Sequence, residues 1–151
     1  ITADLQPGDI VRHLGSVRLL TLASPSYLNE HGEPQHPQAL AHHECLVYSM
    51  SMNSATWPFL VDERVQQFPV RGRIRANNGL ALTQAAARGM GITLQPDFIA
   101  EPFLDKQEVV QILSAFEAPP LGIYAVLPSN RYIPHRVNVL LDHLAKFLLP
   151  M

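Results

Sequence analysis

His36, His42, His43 and Cys45 lie close together and are the residue types that bind zinc or attack electrophiles. Zinc needs ligands that converge on one ion. His42 and His43 are adjacent and cannot easily both reach it, and no second cysteine is available to form a thiolate pair. Nucleophilic catalysis by Cys45 would need a thiol with a depressed pKa and an orienting group, and the sequence shows neither. The expectation is a small buried hydrophobe at the start of a strand, with the histidines in a loop. Asp62-Glu63 and Glu101 with Asp105 read as surface charges, and no Gly-x-Ser-x-Gly elbow occurs. The glycines of Asn78-Gly79 and Gly89-Met90-Gly91 lack the Gly-Lys-Ser/Thr of a phosphate loop. No catalytic residue, no metal site and no cofactor are expected.

A different kind of site remains. Ser24-Pro25, Asn77-Asn78 and Gln95-Pro96 each stand where a strand gives way to a helix N-terminus, the edge at which open α/β sheets bind ligands. Free N–H groups and the positive end of the helix dipole favour an anion there, and a small carboxylate is a natural guest.

The elements that must position these residues centre on Arg75 to Phe98. Asn77 and Asn78 suit an N-cap. Leu82, Ala85, Ala86 and Gly89 follow at the i, i+3, i+4, i+7 spacing of one helical face, and Gly89 suits the left-handed position after a helix. Gly91 to Leu94 reads as a buried strand halted by Gln95-Pro96, which completes a βαβ unit with parallel strands.

Upstream, Asp9 to Leu14 and Val17 to Leu22 read as two strands split by Gly15-Ser16. Ser24 caps and Pro25 opens a short helix that Gly32 ends, and Pro37 opens a helical turn to His42. Glu44 to Met50 reads as a strand, Ser51 to Ser54 as a turn, and Trp57 to Val61 as an apolar run. From Gln67 to Ala76 apolar residues alternate with Arg71, Arg73 and Arg75, which predicts one half-exposed strand. No aromatic residues interleave the arginines, so the reading is a solvated sheet face and not a nucleic-acid platform. Downstream come a helix opened by Pro96 and ended by Pro102, a strand over Val109–Leu113, a stiff turn at Ala118-Pro119-Pro120, and a fully buried strand over Leu121–Leu127. Pro134 opens a last helix with Val137, Leu140, Leu141, Leu144, Phe147 and Leu148 as its apolar stripe. Strands and helices alternate, which predicts an α/β fold.

Across the 151 residues, 47% hydrophobic and 16% charged residues predict a globular chain and not a disordered one. A net charge of -2 offers no basic field for a nucleic-acid backbone, so the chain by itself is not expected to bind DNA. Cys45 as the only cysteine excludes an internal disulfide and fits a cytoplasmic origin. No apolar run is long enough to span a membrane, and Ile1 opens without a signal pattern and without methionine, as in part of something longer.

Val17 to Gly32, Leu40 to Leu46, Trp57-Pro58-Phe59, Asn77-Asn78-Gly79, Ala85 to Pro96 and Leu127 to Pro134 resemble, in order and spacing, the effector-binding (substrate-binding) domain of LysR-type transcriptional regulators. The resemblance runs from about Asp4 to Leu148. It implies a type II periplasmic-binding-protein-like fold, two α/β lobes joined by two crossover strands, with a small-molecule effector in the interlobe cleft. Residues 23–127 would be the second lobe, and 1–22 with 128–151 the remnant of an incomplete first lobe lacking its opening βα units. The winged helix-turn-helix of the family is also absent from this chain. Gln107 stands where many members have glycine. The implied effector-binding residues are Thr21, Ala23 and Ser24 at the crossover, Asn77 and Asn78 at the helix start, and Pro96 and Phe98 beyond the second strand. The implied partners are a small effector, a dimer or tetramer of the same chain, and DNA through a separate domain, with no membrane. The alternative is a solute-binding protein or enzyme of the same fold.

Overall fold

The computed structural model describes residues 1, 10–50, 56–127 and 133–148. The turn expected at Ser51–Ser54 and the strand start at Asp9 fall outside them. The chain divides into two compact units, residues 19–119 and residues 1–18 with 120–151.

Within residues 19–119 the main sheet takes the end of β1 (Ile10–Ala23), β2 (Cys45–Tyr48), β5 (Arg75–Ala76), β6 (Ile92–Pro96) and β7 (Val110–Ile112), in the order β5-β2-β6-β1-β7. β5 and β6 both run parallel to β2, while β1 runs antiparallel to β6 and β7. The expected βαβ unit is present as β5, α2 (Gly79–Ala87) and β6, but β2 lies between its two strands.

Period-two alternation sends neighbouring side chains to opposite faces of this sheet. Leu20, Leu22 and Leu46 join Leu82 and Ala86 of α2 and Ala100 of α3 (Asp97–Asp105) in one buried layer. Cys45, Val47 and Ile92 join Tyr27 of α1 (Pro25–His31), Leu40 of a 3-10 turn (Pro37–His42), and Trp57, Phe59 and Phe68 in the other. The last three come from a separate hairpin, β3 (Thr56–Val61) with β4 (Arg64–Pro69). Its turn residues Asp62 and Glu63 both have positive φ, 50° and 60°, as a two-residue hairpin turn requires.

The helix ends follow the sequence. Ser24 accepts a hydrogen bond from the Tyr27 N–H, and Asn78 accepts one from the Ala81 N–H. Gly89 has φ 77°, donating to Ala86 while Met90 donates to Ala85, the paired bonds of a Schellman motif.

Several expectations are corrected. β1 is one continuous strand from Ile10 to Ala23, because Gly15 serves a close approach and not a turn: a Cβ there would lie 2.7 Å from the Leu148 carbonyl oxygen. The expected strand over Gln67–Ala76 is split at Pro69, where the chain leaves β3 and pairs with β2, through Cys45 N–H to Arg71 O (3.0 Å) and Val47 N–H to Ile74 O (3.0 Å). Alternating exposure persists through the break, which is why the pattern looked like one strand. β2 ends at Tyr48, short of Met50. Pro102 lies inside α3 instead of ending it; Pro102 and Phe98, whose carbonyl loses its amide partner, are both exposed.

In the other unit, β8 (Ala118–Leu127) pairs with β1 and includes the prolines expected to form a turn; its residues past Pro120 are half-buried or exposed instead of fully buried. Proline is tolerated at a strand edge. α4 (His135–Leu148) packs Leu141 and Ala145 against Leu14, with Ile123, Ala125, Leu127, Val137, Leu144 and Leu148 around them. Leu140 and Phe147, expected in that stripe, are exposed. Arg12 pairs with Asp142 on the polar side of the helix.

Candidate functional site

The parallel strands β5 and β6 end at Ala76 and Pro96, and α2 and α3 begin directly after them. Asn77, Asn78, Pro96 and Phe98 therefore share one edge of the sheet. Asn77, Asn78 and Phe98 are exposed there, together with Leu80. The two helix starts are in contact: a Cβ on Gly79 would meet Gln95 Oε1 at 2.5 Å and Ile99 Cδ1 at 3.0 Å.

The crossover residues behave differently. β1 is antiparallel to β6, with Leu19 opposite Pro96 and Thr21 opposite Leu94, so the chain moves away from this edge as it passes Thr21. Thr21 and Ala23 are buried within the sheet. Ser24 emerges at the opposite edge, near Gly89 at the C-terminal end of α2; a Cβ on Gly89 would lie 3.7 Å from Ser24 Oγ. Ser24 is itself buried, and its hydroxyl is engaged by the Tyr27 N–H and by Ser26 Oγ at 3.0 Å. Ser24 and the Asn77-Asn78 pair therefore lie at opposite edges of the sheet, a consequence of strand direction that a strand-to-helix boundary in sequence does not reveal.

Gln95 stands with Pro96 at the end of β6, on the same edge as Asn77 and Asn78. It is buried on the α2 face, where its Nε2 donates to Thr93 Oγ1 at 2.9 Å and Thr93 donates to the Leu46 carbonyl at 3.2 Å. That relay fixes the side chain beneath the first residue of α2. Its sequence signal was the two-residue spacing from Thr93.

The two helix N-termini differ in charge. The first turn of α3 contains Asp97, whose carboxylate accepts from the Phe98 N–H. The first turn of α2 contains no acid, and its Asn78 cap occupies only the Ala81 N–H. An anion is therefore favoured at α2, where N–H groups and the dipole act together, and disfavoured beside Asp97. Asn78→Ala removes the cap and is expected to destabilise the domain by about 1 kcal/mol. Urea unfolding checks this as a lowered midpoint at unchanged slope.

Cys45 is fully buried, with its Sγ 3.8 Å from the Leu40 carbonyl oxygen. Burial pushes its thiol pKa up to about 12, partly opposed by a backbone hydrogen bond from Arg71 to the sulfur. The thiolate needed for nucleophilic chemistry does not form near neutral pH. A raised pKa also means that the stability tied to the neutral thiol is complete below the unfolded value of 9.0 and is lost as pH rises toward about 12. At about pH 8, labelling of Cys45 by a thiol reagent is expected to proceed only at the rate of unfolding. Rapid stoichiometric labelling of the folded protein would contradict this. Among the described residues, no three His, Cys, Asp or Glu side chains are grouped to hold a metal ion, and no helix is long and apolar enough to cross a membrane.

The main sheet carries α2 and α3 on one face, α1 and the 3-10 turn on the other, and two helix N-termini at one edge; the fold is of the type II periplasmic-binding-protein-like class. Residues 2–148 match the family model described as the LysR substrate binding domain, and the chain belongs to that family. The relatives it matches are transcriptional regulators. Among relatives, an uncharacterized HTH-type transcriptional regulator of Haemophilus influenzae is 34% identical over 129 residues, covering 85% of this chain and 45% of the relative. The HTH-type transcriptional regulator PtxR of Pseudomonas aeruginosa is 30% identical over 129 residues, covering 85% and 41%. The CrgA regulatory domain of Neisseria meningitidis, a LysR-type transcriptional regulator, superposes with a TM-score of 0.80 at 28% identity, covering 97% of this chain and 72% of that one. The full-length virulence activator AphB of Vibrio cholerae gives 0.80 and 28%, covering 97% and 50%. The chain spans less than half the length of these two curated relatives.

Proposed function

We propose that the chain is the sensor of a LysR-type transcription factor, in which a small anionic effector bound in the interlobe cleft alters DNA binding by a separate helix-turn-helix domain. Residues 23–127 act as the second lobe, and residues 1–22 with 128–151 belong to the first. The effector contacts the edge carrying Asn77, Asn78, Pro96 and Phe98, with Thr21 and Ala23 supporting it from within the sheet. The signal passes through a homo-oligomer in the cytoplasm, where effector binding shifts the balance between conformations of unequal DNA affinity. The observation that carries this reading is the acid-free N-terminus of α2, capped by Asn78 and flanked by exposed Leu80 and Phe98. Polar N–H groups beside apolar side chains suit a molecule with a carboxylate at one end.

A thermal-shift comparison of small aromatic and aliphatic carboxylates with their methyl esters tests it. An acid at about 100 times its Kd stabilises by about 2.7 kcal/mol, a Tm rise of roughly 5–10 °C. The corresponding ester is expected to give little shift. Equal shifts for acid and ester would contradict an anionic effector. In the full-length regulator the active acid is expected to change the mobility of the promoter complex in a gel shift.

A further inference from the structure

At the opposite edge of the main sheet, beside the start of β2, a pocket of about 630 Å³ is lined by Tyr27, His31, His42, His43, Glu44, Arg71, Gly72 and Arg73. We propose that this pocket is a second binding site, specific for a small oxyanion, either a phosphate or a carboxylate group.

The first argument is charge. Three imidazoles and two guanidinium groups surround the pocket against one carboxylate, in a chain whose net charge is -2. Glu44 is already engaged: its Oε1 accepts from the Arg73 backbone N–H at 2.6 Å and lies 3.8 Å from Arg73 Nε. Among the described residues the guanidinium of Arg71 meets no carboxylate, so a positive charge remains uncompensated at the pocket.

The second argument is orientation. Tyr27 organises two of the imidazoles. Its ring stacks on His31 with centroids 4.3 Å apart at 13°, and its carbonyl oxygen lies 3.2 Å from His31 Nδ1. Because a carbonyl only accepts, that Nδ1 carries the proton, and His31 Nε2 becomes a donor to an anion when the ring takes up a second proton. The Tyr27 hydroxyl accepts from the Glu44 N–H at 3.0 Å and lies 3.1 Å from His43 Nδ1. While His43 is neutral, the hydroxyl can give its own proton to His43 Nδ1, a tautomer in which His43 presents Nε2–H as a donor. Burial raises the Tyr27 pKa, which keeps that phenolic proton in place.

Protonation couples to this site. The His43 pKa is lowered by burial and by repulsion from His31 and His42. A bound anion offsets both effects, so binding takes up protons and tightens as pH falls through the histidine range. The charged groups facing His43 are His31 from α1, His42 from the 3-10 turn, Glu44 beside it, and Arg71 and Arg73 from the segment alongside β2.

The test is a titration with sulfate, whose charge is constant between about pH 7.5 and 5.5, and separately with succinate. Imidazole nitrogen resonances are followed by NMR in the wild type and in Arg71→Gln. The Arg71 backbone carbonyl, not its side chain, accepts the Cys45 N–H, so this variant is expected to fold, as its amide spectrum will show. Saturable shifts at His31 and His43 are expected, with affinity rising as pH falls and weakening about tenfold in Arg71→Gln. Tighter binding of sulfate identifies a phosphate-like ligand, and tighter binding of succinate a carboxylate. Absence of saturable imidazole shifts with both anions, or equal affinity in Arg71→Gln, overturns the proposal. Shifts confined to Gly79 and Leu80 overturn it while leaving the effector edge intact.

Discussion

Replacing Gly72 with alanine is expected to destabilise the domain by about 3 kcal/mol or more. A Cβ at this position would lie 1.6 Å from the Cys45 carbonyl oxygen, 2.7 Å from its carbon and 3.2 Å from its nitrogen. All three are backbone atoms of β2 at the centre of the fold, so no side chain can rotate away. Relief would require separating the Cys45 N–H from the Arg71 carbonyl, now 3.0 Å apart, and with it the segment that carries the chain from the hairpin into the main sheet. The contrast is Gly79, where a Cβ would meet side-chain atoms, Gln95 Oε1 at 2.5 Å and Ile99 Cδ1 at 3.0 Å, and no backbone. Urea unfolding of Gly72→Ala and Gly79→Ala should therefore give a much larger midpoint shift for the first. A change below about 0.5 kcal/mol for Gly72→Ala would contradict the packing described.

Phe59→Ala is expected to cost about 3–5 kcal/mol. Phe59 is fully buried and meets Phe68 edge-on with centroids 6.0 Å apart. β3 and β4 pair only with each other among the described strands, so the hairpin is tied to the main sheet chiefly through side chains, supplemented by the Leu60 N–H donating to the Glu117 carbonyl at 3.1 Å. Truncating Phe59 leaves a cavity under Trp57, Leu40 and Val47 and weakens that attachment. Phe59→Leu fills much of the space and is expected to cost less than half as much. Equal losses for the two variants would mean that cavity volume is not the determinant.

Local signals in this sequence carried further than long-range ones. Ser24, Asn78 and Gly89 announce helix ends because their chemistry is complete within a few residues, and each performs the expected cap. Strand direction and partner are not local. The same alternation of apolar residues and arginines from Gln67 to Ala76 fits one strand or two, since exposure alternates in either case. Gly15 looks like a turn residue, and Gly72 like one more position of a strand, until the backbones they adjoin are known. Leu140 and Phe147 fit the apolar stripe of α4 by spacing, but the packed face is centred on Leu141 and Ala145. For the site, Asn77, Asn78, Pro96 and Phe98 were legible as strand-to-helix boundaries, whereas the separation of Ser24 depended on β1 being antiparallel to β6. The pocket beside His43 is not legible in the sequence, because its arginines come from a segment remote from its histidines.

The most direct test of the effector assignment is amide NMR mapping of the domain with a stabilising carboxylate. The predicted result is the largest shifts at Gly79 and Leu80, with smaller ones at Asp97 and Phe98, and their loss when the methyl ester replaces the acid. Saturable shifts that bypass the start of α2 altogether would contradict the account.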